Sequence, residues 1–156
     1  MAADIEIRHL NPDDIPQMRA LLTVFGKAFD DLQTYTATPP SGHYLQNLLR
    51  DGSFVALAAM KNHNVVGGIA AYELKKFEQE RSEIYLYDLA VASAYRRQGI
   101  ATALIEKLKE IAAERGAYVV FVQADTSPED EAAIALYTKL GKREAVLHFD
   151  IKIGTK

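Results

Sequence analysis

The stretch from Ile84 to Ile111 constrains the fold more than any other. Ile84-Tyr85-Leu86-Tyr87-Asp88-Leu89-Ala90-Val91 is an aromatic and apolar run with one carboxylate inside it, as a largely buried strand would be. It leads through Arg96-Arg97-Gln98-Gly99 into a segment, Gly99 to Arg115, whose Ala101, Leu104, Ile105, Leu108 and Ile111 share one helical face. Gly116 then stands where a left-handed C-terminal residue is wanted. Strand, short cationic turn and helix in that order leave backbone amides open at a positive helix N-terminus, which can bind a pyrophosphate without a large side-chain apparatus. A turn with two solvated arginines satisfies the same spacing, and the turn is neither a dinucleotide fingerprint nor a Walker P-loop.

The flanking segments predict one α/β (α+β) domain over residues 1–156. Ile5 to Leu10 alternates apolar and polar residues like a strand, and Asn11-Pro12-Asp13-Asp14 supplies an N-cap, a first-turn proline and first-turn acids. The helix that follows carries Ile15, Met18, Leu21, Leu22, Phe25 and Phe29 on its apolar face. Thr34 to Gly42, with Pro39-Pro40, reads as a loop, after which Ser41 caps a helix bearing Tyr44, Leu45, Leu48 and Leu49. Phe54 to Met60 and Val65 to Leu74 flank the polar Lys61-Asn62-His63-Asn64 as a hairpin would. Tyr118 to Val122 is a nearly continuous apolar run, expected of a central strand. Ser127-Pro128-Glu129-Asp130 opens a helix that ends before Gly141, and Val146 to Ile153 closes the chain as a strand. The alternation of strands and helices implies a mixed sheet.

Composition narrows the chemistry. A formal charge of −3 gives no global field for nucleic acid, and the absence of cysteine removes thiol nucleophiles, thiolate metal sites and disulfides. The start, Met-Ala-Ala-Asp-Ile-Glu-Ile, lacks the features of a secretory signal, and no apolar run approaches the roughly 20 residues of a membrane helix, so a cytoplasmic location and no membrane partner are expected. His9, His43, His63 and His148 show no paired metal-ligand spacing, and no metal is expected.

Arg96 through Ala101 fits the Gln/Arg-x-x-Gly-x-Gly/Ala turn of the GNAT superfamily of acyl-CoA-dependent N-acetyltransferases, and Ala135-Leu136-Tyr137-Thr138-Lys139-Leu140-Gly141 resembles its second signature. Longer strings resemble one branch, the type I aminoglycoside 3-N-acetyltransferases or gentamicin acetyltransferases. These are Lys76 to Gln79, Arg81 to Val91, Arg96 to Ile105, Gly116 to Tyr118 with Gln123 to Asp125, and Tyr137 to Asp150. Two positions depart from the broad superfamily: Asp130 stands where an asparagine is frequent seven residues before the tyrosine, and Lys142 where an aromatic follows the glycine.

The resemblance implies the GNAT fold, a mixed, mostly antiparallel twisted sheet flanked by helices with splayed central parallel strands. It implies acetyl-CoA as cosubstrate and transfer of its acetyl group to the 3-amine of a 2-deoxystreptamine aminoglycoside such as gentamicin, giving antibiotic resistance; it also suggests a homodimer. Leu89, Ala90 and Val91 would pair with the pantetheine arm, and amides from Arg97, Gln98, Gly99, Ile100 and Ala101 would hold the pyrophosphate. Arg96, Arg97 and the Thr102 hydroxyl either add cofactor contacts or face water as ordinary turn and helix residues. An alkylamine with a pKa near the roughly 10.4 of lysine arrives protonated, so the attack needs a proton acceptor, for which Asp88 is the candidate. Tyr137 would protonate the leaving sulfur. A polycationic acceptor favours carboxylates, and Glu83, Asp88, Asp125 and Asp150 are the substrate-binding candidates. A polyamine or protein-amine acetyltransferase of the same fold, and a non-catalytic acyl-CoA-binding module, remain as alternatives.

Overall fold

The structure, a computed structural model, describes residues 4–154. The chain divides into two compact units, one ending at Val122 and the other beginning at Gln123. The first contains β1 (Glu6–His9), α1 (Ile15–Ala28), α2 (Leu32–Thr36), α3 (Gly42–Arg50), β2 (Phe54–Lys61), β3 (Asn64–Lys75), β4 (Ser82–Val91), α4 (Ile100–Glu114) and β5 (Ala117–Val122). Its strands lie in the order β1-β2-β3-β4-β5, antiparallel throughout except for the parallel pair β4 and β5. This is the mixed, mostly antiparallel sheet with flanking helices that the resemblance implies.

The burial of β2 shows why its sequence carries no polar alternation. Ala56, Ala58 and Met60 join Met18, Leu21 and Phe25 of α1 and Leu45 of α3 in one cluster. Period-two alternation leaves Val55, Leu57 and Ala59 for the opposite face, and these are equally buried. Leu104 and Leu108 of α4 are fully buried, as are Ile69, Ile84 and Leu86 of β3 and β4. A sheet covered on both faces requires continuous apolar strands. Close approach of α1 to β3 is allowed by Gly68, where a Cβ would meet Leu21 Cδ1 and the Leu57 carbonyl oxygen, each at 2.4 Å.

Three expectations need correction. The first helix starts at Ile15, with Pro16 in its first turn; Asn11 instead makes a separate turn, its Oδ1 accepting from the Asp13 amide at 2.8 Å while Asp14 accepts from the Asn11 amide at 2.8 Å. Part of the segment read as a loop, Leu32–Thr36, is the short helix α2, capped by Asp31, whose Oδ1 accepts from the Thr34 amide at 3.1 Å. The strand β5, expected to be central, is the last in the order of the five strands found among the described residues and is only partly buried. The remaining elements fall close to their predicted bounds, including α3 behind its Ser41 cap and the end of α4 at Gly116, φ 75°.

The second unit holds α5 (Glu131–Leu140), entered through a single tight turn at Pro128–Asp130. Residues 142–154 are extended without regular structure, where a closing strand from Val146 to Ile153 was expected. That segment keeps the apolar and polar alternation of a strand.

The close approach at Gly68 gives a direct test. Gly68→Ala should destabilise the fold by about 1–3 kcal/mol, because the obstructing Leu57 oxygen belongs to the backbone of a buried strand and cannot swing away. Denaturant unfolding of the two proteins measures the difference, and equal midpoints would contradict the packing.

Candidate active site

The site begins where β4 loses a neighbour. Parallel pairing with β5 runs from Ser82 opposite Ala117 to Leu86 opposite Val122, where β5 ends. On its other side β4 continues against β3, with Asp88 opposite Ala70, Leu89 opposite Ile69, Ala90 opposite Gly68 and Val91 opposite Gly67. Leu86 faces Ala71 and Asp88 faces Ala70, so Tyr87 is an inserted bulge residue. A bulge bends and further twists its strand, and this one sits where the parallel pairing stops. The β5-facing backbone of residues 87–91 therefore has no ladder partner among the described residues.

Asp88 stands on this parted stretch and is half-buried. The Tyr35 hydroxyl of α2 lies 3.1 Å from each of its carboxylate oxygens and donates its proton to them. The Tyr35 ring is fixed by aromatic neighbours on α1, with centroids 6.0 Å from Phe25 and 5.6 Å from Phe29. Burial pushes the Asp88 carboxyl above the usual carboxylate range, and the Tyr35 hydrogen bond acts in the opposite direction. The same burial, followed by the Asp88 charge, drives the Tyr35 phenol far above its ordinary value, so it remains a donor at neutral pH. Tyr72 and Tyr85 are raised as well, by burial first and then by the charges of Asp88 and its neighbours.

These tyrosines make an aromatic wall beside the carboxylate. Tyr87, 57% exposed, meets Tyr72 edge-on at 5.8 Å and Tyr85 at 5.2 Å, while Tyr85 stacks on Phe121 at 4.6 Å. Between α1, α3 and the sheet lies an apolar cavity of about 190 Å³, bordered by Tyr44, Phe54, Ala70 and Tyr72. Ala70 is the register partner of Asp88, so cavity and carboxylate adjoin across one pair of strands.

The turn from β4 into α4 has the form of an anion cradle. Arg96 Nε donates to the Val91 carbonyl at 3.2 Å and draws the turn back onto the end of the strand. Arg97 and Gly99 both have left-handed backbones, φ 63° and 77°, a combination that curves successive amides toward one side. Ile100 is buried and anchors the helix start, whereas Arg96, Arg97 and Gly99 are exposed. The Ala103 amide makes the first intrahelical bond, to the Gly99 carbonyl at 3.0 Å, so the amides of Ile100, Ala101 and Thr102 have no acceptor within the helix. No acid occupies the first turn of α4. A pyrophosphate fits such a terminus in charge and hydrogen-bonding capacity.

The other expected residues are placed differently. Glu83 is five residues from Asp88 toward the start of β4, where it accepts from the Tyr118 hydroxyl at 2.6 Å and pairs with Lys76 at 3.5 Å. It is not brought to Asp88. Tyr137, Asp125 and Asp150 belong to the second unit. Burial, and then the Asp130 charge, push the Tyr137 phenol up to about 12, which keeps it protonated at neutral pH. The Asp125 amide donates to Asp130 at 2.7 Å, and Asp125 Oδ1 accepts from the Ser127 amide at 3.2 Å, so this carboxylate shapes its own loop. Asp150 pairs with His148 at 2.9 Å on the exposed segment. Among the described residues, no group of three or more His, Cys, Asp or Glu side chains is placed to hold a metal ion, and no helix is long and apolar enough to cross a membrane.

Tyr35 is the residue that sequence reasoning missed. It sits among threonines ahead of two prolines, with no periodic pattern around it. The Asp31 cap three residues before Thr34 was the available signal for a helix there.

A mixed sheet whose parallel pair parts beside an amide-rich helix start defines the class of N-acetyltransferases to which the sequence pointed. The acetyltransferase (GNAT) family model matches residues 18–142, and the chain belongs to that family. Among solved structures, an aminoglycoside acetyltransferase from an uncultured soil metagenomic sample is 63% identical, with a TM-score of 0.95 over 96% of this chain and 99% of the other. A second such enzyme, also from an uncultured soil metagenomic sample and in complex with sisomicin, is 30% identical, with a TM-score of 0.88 over 97% of each chain. The [ribosomal protein bS18]-alanine N-acetyltransferase of Escherichia coli K12 is 35% identical over 81 residues, 52% of each chain. The rat N-acetyltransferase 8B is 32% identical over 91 residues, 58% of this chain and 40% of that protein. The chain thus spans between two fifths and about half of the length of these curated relatives.

The hydrogen bond between Tyr35 and Asp88 sets a measurable direction. Removing the hydroxyl leaves burial unopposed, so Tyr35→Phe should move the Asp88 carboxyl titration to still higher pH. Carbon-detected NMR titration of the Asp88 side chain reads this, and an unchanged or lower midpoint would contradict the geometry.

Proposed function

We propose that this chain transfers the acetyl group of acetyl-CoA to an amine of an aminoglycoside, with the 3-amine of a gentamicin-type 2-deoxystreptamine as the acceptor and resistance to the drug as the outcome. The observation that carries the reading is the position of Asp88, a half-buried carboxylate on the very stretch of β4 that has lost its parallel neighbour. The likeness to two aminoglycoside acetyltransferases supports the substrate class. The position of the modified nitrogen rests on the branch resemblance alone. A cytoplasmic setting is part of the same proposal.

Acetyl-CoA supplies an activated acyl thioester. The backbone of Leu89, Ala90 and Val91 is available to hydrogen-bond the pantetheine amides, and the amides from Arg97 to Thr102 are suited to the pyrophosphate. Arg96, already tied to Val91, acts mainly by shaping the turn. An acceptor amine arrives as a cation, which the Asp88 carboxylate attracts, and the amine must lose a proton before its lone pair can attack. Asp88 accepts that proton, directly or through one water. Its raised affinity for protons suits it to this task better than an exposed carboxylate. Tyr35 keeps the two carboxylate oxygens oriented, and the Tyr87 and Tyr72 rings offer flat faces for a sugar ring.

The leaving sulfur, with a reference pKa of about 8.5, needs only a modest proton donor. We assign this to Tyr137 from the second signature, and its protonated phenol is chemically suited to it. Asp125 and Asp150 are assigned to binding the cationic substrate, more weakly than Asp88 because each already has a local partner. Glu83 is the weakest of the substrate-binding candidates, given its separation from Asp88 along β4.

A peptide α-amine is the second reading, favoured by the likeness to the ribosomal alanine N-acetyltransferase. Incubating the enzyme with acetyl-CoA and, separately, gentamicin, sisomicin, spermidine and an alanine-terminated peptide distinguishes the acceptors, with mass spectrometry locating the modified nitrogen. Acetylation at the 3-amine is expected; peptide modification with no drug acetylation would overturn the assignment. Asp88→Asn should lower kcat/KM for the acceptor by about 10²–10⁴-fold, whereas Tyr137→Phe should lower kcat by about 10²-fold and leave acetyl-CoA affinity nearly unchanged. Steady-state kinetics with calorimetric binding measures both, and wild-type turnover in either variant would remove that residue from the mechanism.

A further inference from the structure

The apolar cavity of about 190 Å³ between α1, α3 and the sheet is left unused by a sugar substrate, whose hydroxyls and ammonium groups gain nothing by burial there. Ala56, Ala70 and Tyr72 line it from the strands, and Phe25, Tyr44 and Leu48 from the helices. Tyr44 and Tyr72, 60% and 38% exposed, stand where it opens to solvent. An apolar protein cavity of about 150 Å³ holds a benzene molecule, so this one has room for a single aromatic ring.

The cavity and the Asp88 carboxylate share one face of the sheet. Ala56 lies opposite Ala70, and Ala70 opposite Asp88, so the three side chains project to the same side. That side is the one covered by α1 and α3, where Ala56 and Ala70 pack with Met18 and Leu45. Phe25 provides a second link, since it borders the cavity and meets the ring of Tyr35, whose hydroxyl donates to Asp88. All the residues around the cavity come from α1, α3, β2, β3 and Pro40. It therefore reaches Asp88 from the β3 side, whereas the backbone assigned to the acyl donor faces away toward β5.

On the acetyltransferase reading above, we propose that this enzyme also acetylates primary arylalkylamines, which seat the aromatic ring in the cavity and the ammonium at Asp88. Directly opposed residues of an antiparallel pair have Cβ atoms about 4.5–5.5 Å apart, a gap that a linker of about two to four carbons spans. The ammonium gives one proton to Asp88, and the freed lone pair forms a C–N bond to the thioester carbonyl carbon. The C–S bond then breaks, and the second nitrogen proton goes to the departing sulfur. The products are the N-acetyl amide and the coenzyme A thiol, and Asp88 returns its proton to solvent. Donor and acceptor meet at the carboxylate from opposite sides of β4.

Thiol release and mass spectrometry test this with the purified chain, acetyl-CoA and, separately, 2-phenylethylamine, 3-phenylpropylamine, 4-phenylbutylamine, n-propylamine and gentamicin. At least one ring-bearing amine should exceed n-propylamine about 30-fold or more in kcat/KM, because only the ring is buried. Leu48→Phe extends a half-buried side chain into the cavity and should raise KM for that amine about 10-fold or more, with gentamicin kcat/KM within about twofold of the wild type. Leu48→Gln, which places a polar amide in the wall without overfilling it, should act in the same direction, with circular dichroism confirming the fold of each variant.

Ring-bearing amines no better than n-propylamine, with gentamicin still acetylated, would overturn this inference and leave the drug assignment standing. Acetylation of the ring-bearing amines without gentamicin would uphold it and overturn the drug assignment instead. Failure of every amine would remove both. Ring preference unchanged in both Leu48 variants would place the ring elsewhere. Faster turnover of hexanoyl-CoA than acetyl-CoA, lost in Leu48→Phe, would give the cavity to the donor's acyl chain and likewise overturn the proposal.

Discussion

The proposed reaction depends on the early end of one β-ladder. Six residues of β5 run beside β4, and at Leu86 the pairing stops while β4 continues to Val91. Backbone polar groups within a sheet are ordinarily satisfied by the next strand, and an interruption leaves them for something else. Everything assigned to acyl-donor binding lies on the continuation of that interrupted strand, on the turn immediately after it or in the first turn of α4. The bulge at Tyr87 contributes by bending the strand at the same point and by changing which side of it the following residues face. Asp88 owes its orientation toward α2 to this local shift, and without it the carboxylate would have no phenol to meet.

Much of this was legible in residues alone, for identifiable reasons. The run Ile84 to Val91, the cationic turn and the helical face from Ala101 to Ile111 are strong local signals that the tertiary structure merely respects. The hairpin between β2 and β3 was marked by its polar tetrapeptide. The α3 cap at Ser41 and the left-handed Gly116 were marked by side-chain chemistry. What escaped was non-local. Tyr35 matters because it reaches a residue 53 positions away, and no periodicity within the Thr34 to Gly42 segment encodes that contact. The place of β5 at the end of the strand order escaped for the opposite reason: its nearly continuous apolar composition is that of a strand covered on both sides. Likewise Asn11 has the chemistry of a cap and uses it in an Asx turn, because Asp14 and Asn11 satisfy one another before the helix begins.

The carboxylates illustrate how little charge alone decides. Glu83, Asp88, Asp125 and Asp150 are all carboxylates of the same charge. Their surroundings then separated them. Glu83 is drawn below its ordinary range by the Tyr118 hydroxyl, with Lys76 nearby, which suits a surface tether. Asp125 and Asp150 hold short-range partners within a few residues. Asp88 is burdened by burial and faces tyrosines rather than cations, so its protonation costs less than it would in water and its charge is the one most available to an incoming ammonium.

The Tyr35 hydroxyl has a further bearing on how such a carboxylate would behave through a catalytic cycle. A buried anion that lost water on closure of a cleft would ordinarily be left bare until a cation arrived, and bare again once that cation departed. Here an internal phenol stands in for the missing solvent at both moments. Under the proposed mechanism the oxygen pair would stay oriented between turnovers without flooding of the cleft, and the short α2 helix that carries the phenol would serve as a fixed dielectric element rather than a mere connector.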